Sequence, residues 1–138
     1  LESGTKITGI ITADGYRESA DLVIVAAGAW TTALLPELAE VMHPVGQPLL
    51  YLQPADPDLY RSPQFPPWAA DIPRTGWYGF PANADGIVKI ANHGLGRTMT
   101  TEESRDLFPE EISRFKAFIK ETIPSLADAP IVNSRLCL

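Results

Sequence analysis

The sequence predicts an α/β (α+β) fold built on a mixed, largely antiparallel sheet. Three observations predict this class. Two runs of strand-forming residues flank a loop rich in turn formers, as in an antiparallel pair. A later segment has apolar residues at helical spacing between two prolines. An early segment is apolar at successive positions, which is typical of a strand buried between two layers.

The first 40 residues predict a hairpin that leads into a core strand. Residues 5–12, TKITGIIT, alternate in the manner of a strand, and the Asp-Gly pair at 14–15 supplies a turn. The chain then returns into DLVIVAA at residues 21–27, which is apolar on both faces. This strand ends at Gly28, and TTALLPELAEVM predicts short helical turns that are interrupted by Pro36.

Proline sets the character of the next segment. Eight of the 13 prolines lie between Pro44 and Pro73. Proline lacks a backbone N–H and fixes its own φ, so we expect neither a helix nor a central strand in this stretch.

The two segments after the prolines, GWYGF at 76–80 and GIVKIANH at 86–93, predict an antiparallel pair around the loop PANAD. If Phe80 faces Ile87, Tyr78 lies directly opposite Lys89. The two-residue period of a strand then puts Lys89, Ala91 and His93 on one face. A shift of one residue would turn Lys89 to the other face.

The last third predicts helices followed by a strand. Thr100 and the acids at 102–103 have the composition of a short helix start. A longer helix should begin at Pro109 and stop at Pro124. IVNSRLCL at 131–138 reads as a strand. A core-facing stripe is predicted at helical spacing for Phe108, Ile112, Phe115, Ile119 and Ile123.

Composition excludes several classes of protein. The chain has 138 residues, with 11 Lys and Arg against 17 Asp and Glu, and this net charge of −6 argues against a nucleic-acid binder. Its longest apolar run, at residues 22–30, is less than half of the roughly 20 residues that span a bilayer, so we expect no membrane segment. The first residues do not form a signal peptide. One cysteine and two histidines predict neither a disulfide framework nor a metal site.

Small residues after the apolar segment are the first candidate for ligand binding. Ala27 and Gly28 would let a bulky ligand, such as a nucleotide cofactor, come close to the backbone. Small residues serve equally well where a strand passes into a helix. The sequence GLG at 94–96 is rejected as a dinucleotide fingerprint, because Met99 occupies the third glycine position.

Three polar side chains and one thiol are the candidates for chemistry. Lys89 and His93 on one face can bind a carboxylate or stabilise developing negative charge, and Tyr78 can donate a hydrogen bond. The structural alternative is a solvated lysine and a polar turn histidine. Cys137 has Arg135 two positions before it, and a nearby cation favours the reactive thiolate. The alternative is a buried structural cysteine.

Three strings in this order resemble the monomeric sarcosine oxidase and fructosyl-amino-acid oxidase (amadoriase) family, which are FAD-dependent amine oxidases of the D-amino-acid-oxidase type. They are ADLVIVAAGAWTTALLPEL, then WYGFP followed by VKIANHG, then RLC. The spacing of eleven residues from Tyr78 to Lys89 and four more to His93 also fits the family.

The resemblance implies a role for each matching residue. Lys89 matches the lysine that activates oxygen near the flavin. Tyr78 and His93 match residues beside the bound amine. Cys137 matches the cysteine that attaches covalently to the flavin. The strand end that lies close to FAD is matched by Ala27, Gly28 and Trp30.

The implied reaction is oxidation of the C–N bond of a secondary amino acid to an imine, with FAD as cofactor and oxygen reduced to hydrogen peroxide. Residues 1–42 would belong to a Rossmann-like FAD domain and residues 43–130 to an interleaved substrate domain. Residues 131–138 would form a strand that returns to the FAD domain. The chain would be about the middle third of such an enzyme. The resemblance implies no nucleic-acid partner and a location in the cytosol or the peroxisome.

Two alternatives remain at this point. One is a small non-catalytic binding module in which Lys89 and Cys137 are structural. The other is an FAD-dependent dehydrogenase with a different electron acceptor, against which the implied oxygen-activating role of Lys89 argues. The sequence does not choose between sarcosine, fructosyl amino acids, pipecolate and saccharopine as substrates.

Overall fold

The computed structural model describes residues 2–4 and 6–138, and the chain divides into two compact units. The first unit ends at Glu40 and the second covers Val41–Leu138. Leu1 and Thr5 lie outside the described residues, as does the predicted strand start at Thr5.

The first unit contains two small antiparallel pairs. β1 (Glu2–Ser3) pairs with β2 (Lys6–Ile7), and β3 (Gly9–Ile11) pairs with β4 (Arg17–Ser19). The second pair is the predicted hairpin around residues 14–15. The Gly15 N–H donates to the Thr12 carbonyl at 2.9 Å, which closes the turn.

The apolar segment 21–27 is not a strand, and that prediction is wrong. Leu22 and Ile24 are 75% and 79% exposed. A strand that is apolar on both faces forms only between partner strands and covering layers, and among the described residues no strand pairs with this segment. The predicted short turns do follow, as a 3₁₀ turn at Gly28–Trp30, helix α1 at Thr31–Leu34 and a 3₁₀ turn at Pro36–Leu38.

The second unit is built on a six-stranded sheet in which every described pairing is antiparallel, so the predicted sheet type is confirmed. The order across it is β10-β5-β8-β7-β6, and β9 pairs with the start of β5. Its strands are β5 (Val45–Leu52), β6 (Trp68–Ala70), β7 (Trp77–Phe80), β8 (Val88–Asn92), β9 (Arg97–Thr98) and β10 (Ile131–Cys137).

Strand β5 corrects the expectation that the proline-rich stretch contains no central strand. It lies between β10 and β8 although it contains Pro48. On one side, β8 pairs with Leu49–Leu52 and β9 pairs with Val45 and Gly46, so Pro48 falls between the two pairings. A proline is tolerated at such a break because no ladder hydrogen bond is required of it there.

The predicted pair of β7 and β8 is present with a register two residues from the one proposed. Tyr78 lies opposite Ala91, and Phe80 lies opposite Lys89. An even shift leaves each side chain on its predicted face. Lys89 therefore still shares a face with Tyr78.

Helix α2 (Pro109–Thr122) begins and ends close to its predicted limits. The Glu111 carboxylate accepts a hydrogen bond from the Phe108 N–H at 2.7 Å, which caps the first turn. Phe115 and Ile119 are buried as predicted, whereas Phe108 is 54% exposed and packs against the Arg97 guanidinium, 3.8 Å from its ring centroid. The predicted short helix after Thr100 is only a turn.

The core lies between α2 and one face of the sheet. It joins side chains from β5, β7 and β8 to the helix and to the 3₁₀ turns that flank the sheet. Cross-strand partners share a face, so the opposite side, here called the open face, carries the side chains of Tyr51, Tyr78, Phe80, Lys89, Arg135 and Cys137. The buried cluster is Leu50, Leu52, Tyr60, Trp77, Val88, Ile90, Phe115, Ile119 and Leu126.

Candidate functional site

Lys89 lies at the centre of the open face. Its Cα partner on one side is Tyr51 in β5, and on the other side it is Phe80 in β7. These three side chains therefore form a row across adjacent strands, about 4.8 Å apart from strand to strand. The alternation of β8 causes this arrangement, because Val88 and Ile90 are directed into the core and leave Lys89 on the other side.

Two aromatic rings hold the Lys89 ammonium. Its Nζ lies 5.2 Å from the Phe80 ring centroid and 5.6 Å from that of Tyr78. The rings pack edge to face with centroids 6.0 Å apart. Both distances are within the range of cation–π attraction. The arrangement gives a positioned positive charge that can bind an anion or stabilise negative charge as it develops.

Tyr78 is a neutral hydrogen-bond donor in this setting. Partial burial raises the pKa of its hydroxyl above the ordinary value of 10.0, and the Cys137 and Tyr51 groups raise it further when they are charged. By strand register, the open face carries two phenols, an ammonium and a thiol.

Cys137 is exposed, which contradicts the alternative of a buried structural cysteine. It lies in β10 with Gln47 of β5 as its Cα partner, on the same face as Lys89. A thiol can react with a bulky planar group only where that group can reach it. The exposed sulfur, on the face that also carries Lys89, would be accessible to such a group.

The structure does not bring the His93 side chain into contact with the group around Lys89. It is exposed and follows the last residue of β8, so the strand alternation that would fix its direction has ended. Its backbone N–H donates to the Gly76 carbonyl at 2.6 Å. In the described residues, no contact joins the His93 imidazole to Lys89 or Tyr78.

The other predicted cofactor residues belong to the first unit. Gly28 has a φ of 52°, a left-handed conformation that favours glycine. A Cβ there would meet nothing within 4 Å, so the backbone angle accounts for this glycine within the unit. Ala27 is half-buried and Trp30 is exposed. Contact of Ala27, Gly28 and Trp30 with FAD stays a prediction.

Sequence reasoning missed Tyr51, Phe80 and Arg135 as members of the open face. Tyr51 was hidden because its strand lies in the proline-rich stretch. The run PLLYL is bounded by turn formers and is a strand signal that could have revealed it. The face of Phe80 follows from that of Tyr78, because residues two apart in a strand lie on the same side of the sheet. Arg135 needed the pairing of β10 with β5, which places it opposite Leu49, far earlier in the chain.

Among residues 2–4 and 6–138, no group of three or more His, Cys, Asp and Glu side chains is arranged to hold a metal ion. Within the same residues, each helix is too short or too polar to cross a bilayer.

Comparison with known proteins matches the whole chain to one family. The profile described as DAO, FAD dependent oxidoreductase, matches residues 1–138. The monomeric sarcosine oxidase of Bacillus sp. (strain B-0618) is 27% identical over 125 residues, which are 87% of this chain and 32% of that protein. The N-methyl-L-tryptophan oxidase of Escherichia coli O81 (strain ED1a) is 33% identical over 121 residues, which are 85% of this chain and 31% of that protein. The chain thus spans about a third of the length of these relatives.

Two solved structures share the fold. A thermally stable mutant of fructosyl peptide oxidase superposes with a TM-score of 0.81 at 19% identity, and the match covers 99% of this chain and 36% of that protein's chain. The fructosamine oxidase of Aspergillus fumigatus (Amadoriase II) superposes with a TM-score of 0.76 at 22% identity, covering 99% of this chain and 35% of its own. At this level of identity the likeness concerns the fold.

Proposed function

The chain belongs to the DAO family of FAD-dependent oxidoreductases, and we propose that it is part of an oxidase that acts on the C–N bond of an N-substituted amino acid. The related proteins named above are oxidases of sarcosine and of N-methyl-L-tryptophan. The observation that carries the proposal is the open face, where Lys89 lies against two aromatic rings and shares the sheet face with the exposed thiol of Cys137.

The cofactor of this proposal is FAD, held through the Cys137 sulfur and by the backbone near Ala27, Gly28 and Trp30. Bound FAD would supply the redox chemistry, since a flavin can accept two electrons from an amine and pass them to oxygen. The exposure of Cys137 supports covalent attachment, because a buried sulfur would be out of reach.

The protein's own residues would bind the substrate and stabilise charge. Lys89 places a positive charge where oxygen, on accepting an electron, becomes negative. Tyr78 stays neutral and can donate a hydrogen bond to the amine substrate or its carboxylate. His93 would stand beside the amine in the complete protein. The products would be an imine and hydrogen peroxide.

Covalent attachment is tested by the intact mass of the complete protein after denaturation, beside the Cys137→Ser variant. We expect the parent to carry the added mass of one FAD and the variant to carry none. If flavin is instead released from the parent on denaturation, the cofactor is bound without a covalent link to Cys137. A preparation without any flavin would overturn the proposed function.

The role of Lys89 is tested by separating the two half-reactions in stopped-flow absorbance. Lys89→Met should slow reoxidation by oxygen far more than reduction by an N-methyl amino acid, because the lost charge acts on oxygen. Lys120→Met is the matched control, since Lys120 is an exposed residue of α2, which covers the opposite face of the sheet. Equal slowing of both half-reactions by Lys89→Met would remove the oxygen-activating role.

A further inference from the structure

A polar depression adjoins Lys89 on the open face. Its volume is about 400 Å³. Tyr51 forms the edge nearest to Lys89, because Tyr51 is the Cα partner of Lys89 on one side and of Asn133 on the other. The depression is lined by Tyr51, Asn83, Ile87, Val132, Asn133 and Arg135.

A bulge in β10 shapes this depression. The register between β10 and β5 shifts between Ile131 and Asn133, so Val132 is the extra residue. Such a bulge redirects side chains relative to a regular strand. Both Val132 and Asn133 consequently line the depression, and Arg135 follows two residues later on the same face.

The polar side chains of the depression can all donate hydrogen bonds, and the Arg135 guanidinium has no acceptor within the described residues. Arg135 is exposed, and within the described part of the chain no carboxylate or carbonyl engages its guanidinium. The Asn83 Oδ1 already accepts the Ile87 N–H at 2.9 Å, so its amide N–H₂ group is left to donate. The Tyr51 hydroxyl and the Asn133 amide add two more donors, and the lining contains no carboxylate.

This set of groups selects for an anion with a planar head. A guanidinium forms paired hydrogen bonds with a carboxylate, and neutral donors beside it strengthen the binding. The unengaged guanidinium stands out in a chain whose net charge is −6. Ile87 is half-buried and Val132 is half-exposed, so the wall also offers apolar contact to methylene groups. The ligand that fits is a short aliphatic arm that ends in a carboxylate.

We propose that this depression binds the side-chain carboxylate of a dicarboxylic N-substituted amino acid, such as an N-substituted glutamate or aspartate. The inference rests on the proposed function and names its substrate class. The Tyr51 edge is one strand, about 4.8 Å, from Lys89. An arm of two methylenes and a carboxylate can cover that distance while the reacting end of the substrate stays next to Lys89.

Direct binding to the complete holoenzyme tests the depression without turnover. The probes are glutarate and its monoamide, which are nearly isosteric and differ by one charge, and the measurement is isothermal titration calorimetry. The parent should bind glutarate about tenfold more tightly, as a charge-assisted hydrogen bond predicts. Arg135→Gln should remove this preference, Arg135→Lys should keep part of it, and Lys120→Gln, which loses the same charge elsewhere, should keep all of it.

Equal affinity of the two probes for the parent, or a preference that survives Arg135→Gln, would overturn the inference. Tyr51→Phe supplies a second reading, because it removes one donor and keeps the charge. It should reduce the preference for glutarate less than Arg135→Gln does. An unchanged preference in both variants would place the anion elsewhere.

Turnover separates this inference from the proposed function. Hydrogen peroxide formation from N-methylglutamate is compared with that from N-methylglutamine, and the preference for the acid should be lost in Arg135→Gln mainly through KM. Oxidation of both at equal kcat/KM would overturn the carboxylate site and leave the oxidase intact. If neither is oxidised while sarcosine is, the dicarboxylic substrate class is overturned and the oxidase stands. If no N-methyl amino acid is oxidised while glutarate binding depends on Arg135, the oxidase proposal fails and the carboxylate site is supported.

Discussion

The Lys89 ammonium rests against aromatic rings, and among the described residues no carboxylate forms an ion pair with it. A carboxylate would neutralise the charge toward an incoming anion, whereas a ring holds the ammonium and leaves its charge available. Phe80 is 44% exposed, so its ring position is set by this contact and by Tyr78 more than by the core. Phe80 is therefore a positioning residue for Lys89.

Replacing Phe80 tests that role. Phe80→Leu keeps an apolar side chain and removes the ring, so we expect reoxidation by oxygen to slow about two- to fivefold, the effect of losing 0.5 to 1 kcal/mol of cation–π attraction. Phe80→Tyr is the conservative control and should react as the parent does. Stopped-flow absorbance measures both half-reactions. An effect confined to the reduction step would assign Phe80 to substrate contact instead.

Tyr78 gives a prediction for high pH. Burial and its two neighbours raise the pKa of the Tyr78 hydroxyl in the folded protein above the ordinary 10.0 of an unfolded chain. The folded state therefore holds its proton more tightly, so the stability gained from neutral Tyr78 is present below about pH 10 and is lost as the pH rises above that value.

The ultraviolet titration of phenolate measures this shift. The difference in absorbance between the parent and Tyr78→Phe should show one phenol that ionises above pH 10 in the folded protein and near pH 10 in denaturant. Tyr78→Phe should also lose less stability on going to alkaline pH. A difference curve centred at the same pH in both states would contradict the raised pKa.

At the scale of elements, α2 packs on the sheet through aromatic rings, and Phe115 and Phe118 of the helix both contact Trp77 of β7. Phe115 is fully buried, and its ring packs edge to face on Trp77 with centroids 4.9 Å apart. Phe115→Ala should lower the free energy of unfolding by about 3 to 5 kcal/mol, because it leaves a cavity and removes the ring contact. Chemical denaturation followed by circular dichroism measures the change.

The neighbouring residue provides the control. Lys116 is exposed, so Lys116→Ala should change the free energy of unfolding by about 0.5 kcal/mol or less. Comparable losses in the two variants would mean that α2 does not pack through Phe115.

Elements set by local chemistry could be predicted, and those set by distant partners could not. The pair β7 and β8 follows from alternation around Asn83 and Gly86, and α2 follows from its two flanking prolines. Strand β5 was missed because its partners lie far along the chain, and only the pairings with β8 and β9 show that Pro48 falls between them on that side of the strand. Segment 21–27 was taken as a strand from its apolar run, which lacks a paired strand in the described chain.

The candidate site divides in the same way. Lys89 and Tyr78 share a face by strand parity, which survives a register error of two residues. Cys137 was identified from its type and sequence context, but its position on the same face as Lys89 depends on the order and register of strands across the sheet. The polar depression around Arg135 depends on a bulge in β10 that no sequence pattern predicts.

At the scale of the whole molecule, the main core belongs to the second unit alone. All of its buried members lie between Leu50 and Leu126, inside Val41–Leu138. We therefore expect residues 41–138 produced alone to fold, with sheet and helix signals in circular dichroism and a cooperative transition in urea. The same segment with Phe115→Ala should unfold at lower urea. A gradual, non-cooperative change would mean that this unit requires residues 1–40.

The two sides of the six-stranded sheet differ, since one packs against α2 and the other carries the exposed Cys137 together with Lys89. In β8 the side chains alternate between the two faces. Val88 and Ile90 are directed into the core, and Lys89 lies on the opposite face. In a saturation mutagenesis library, substitutions at Val88 and Ile90 should deplete cellular abundance, whereas those at Lys89 should spare abundance and abolish activity. Plotted along the strand, the two kinds of score would rise and fall out of phase.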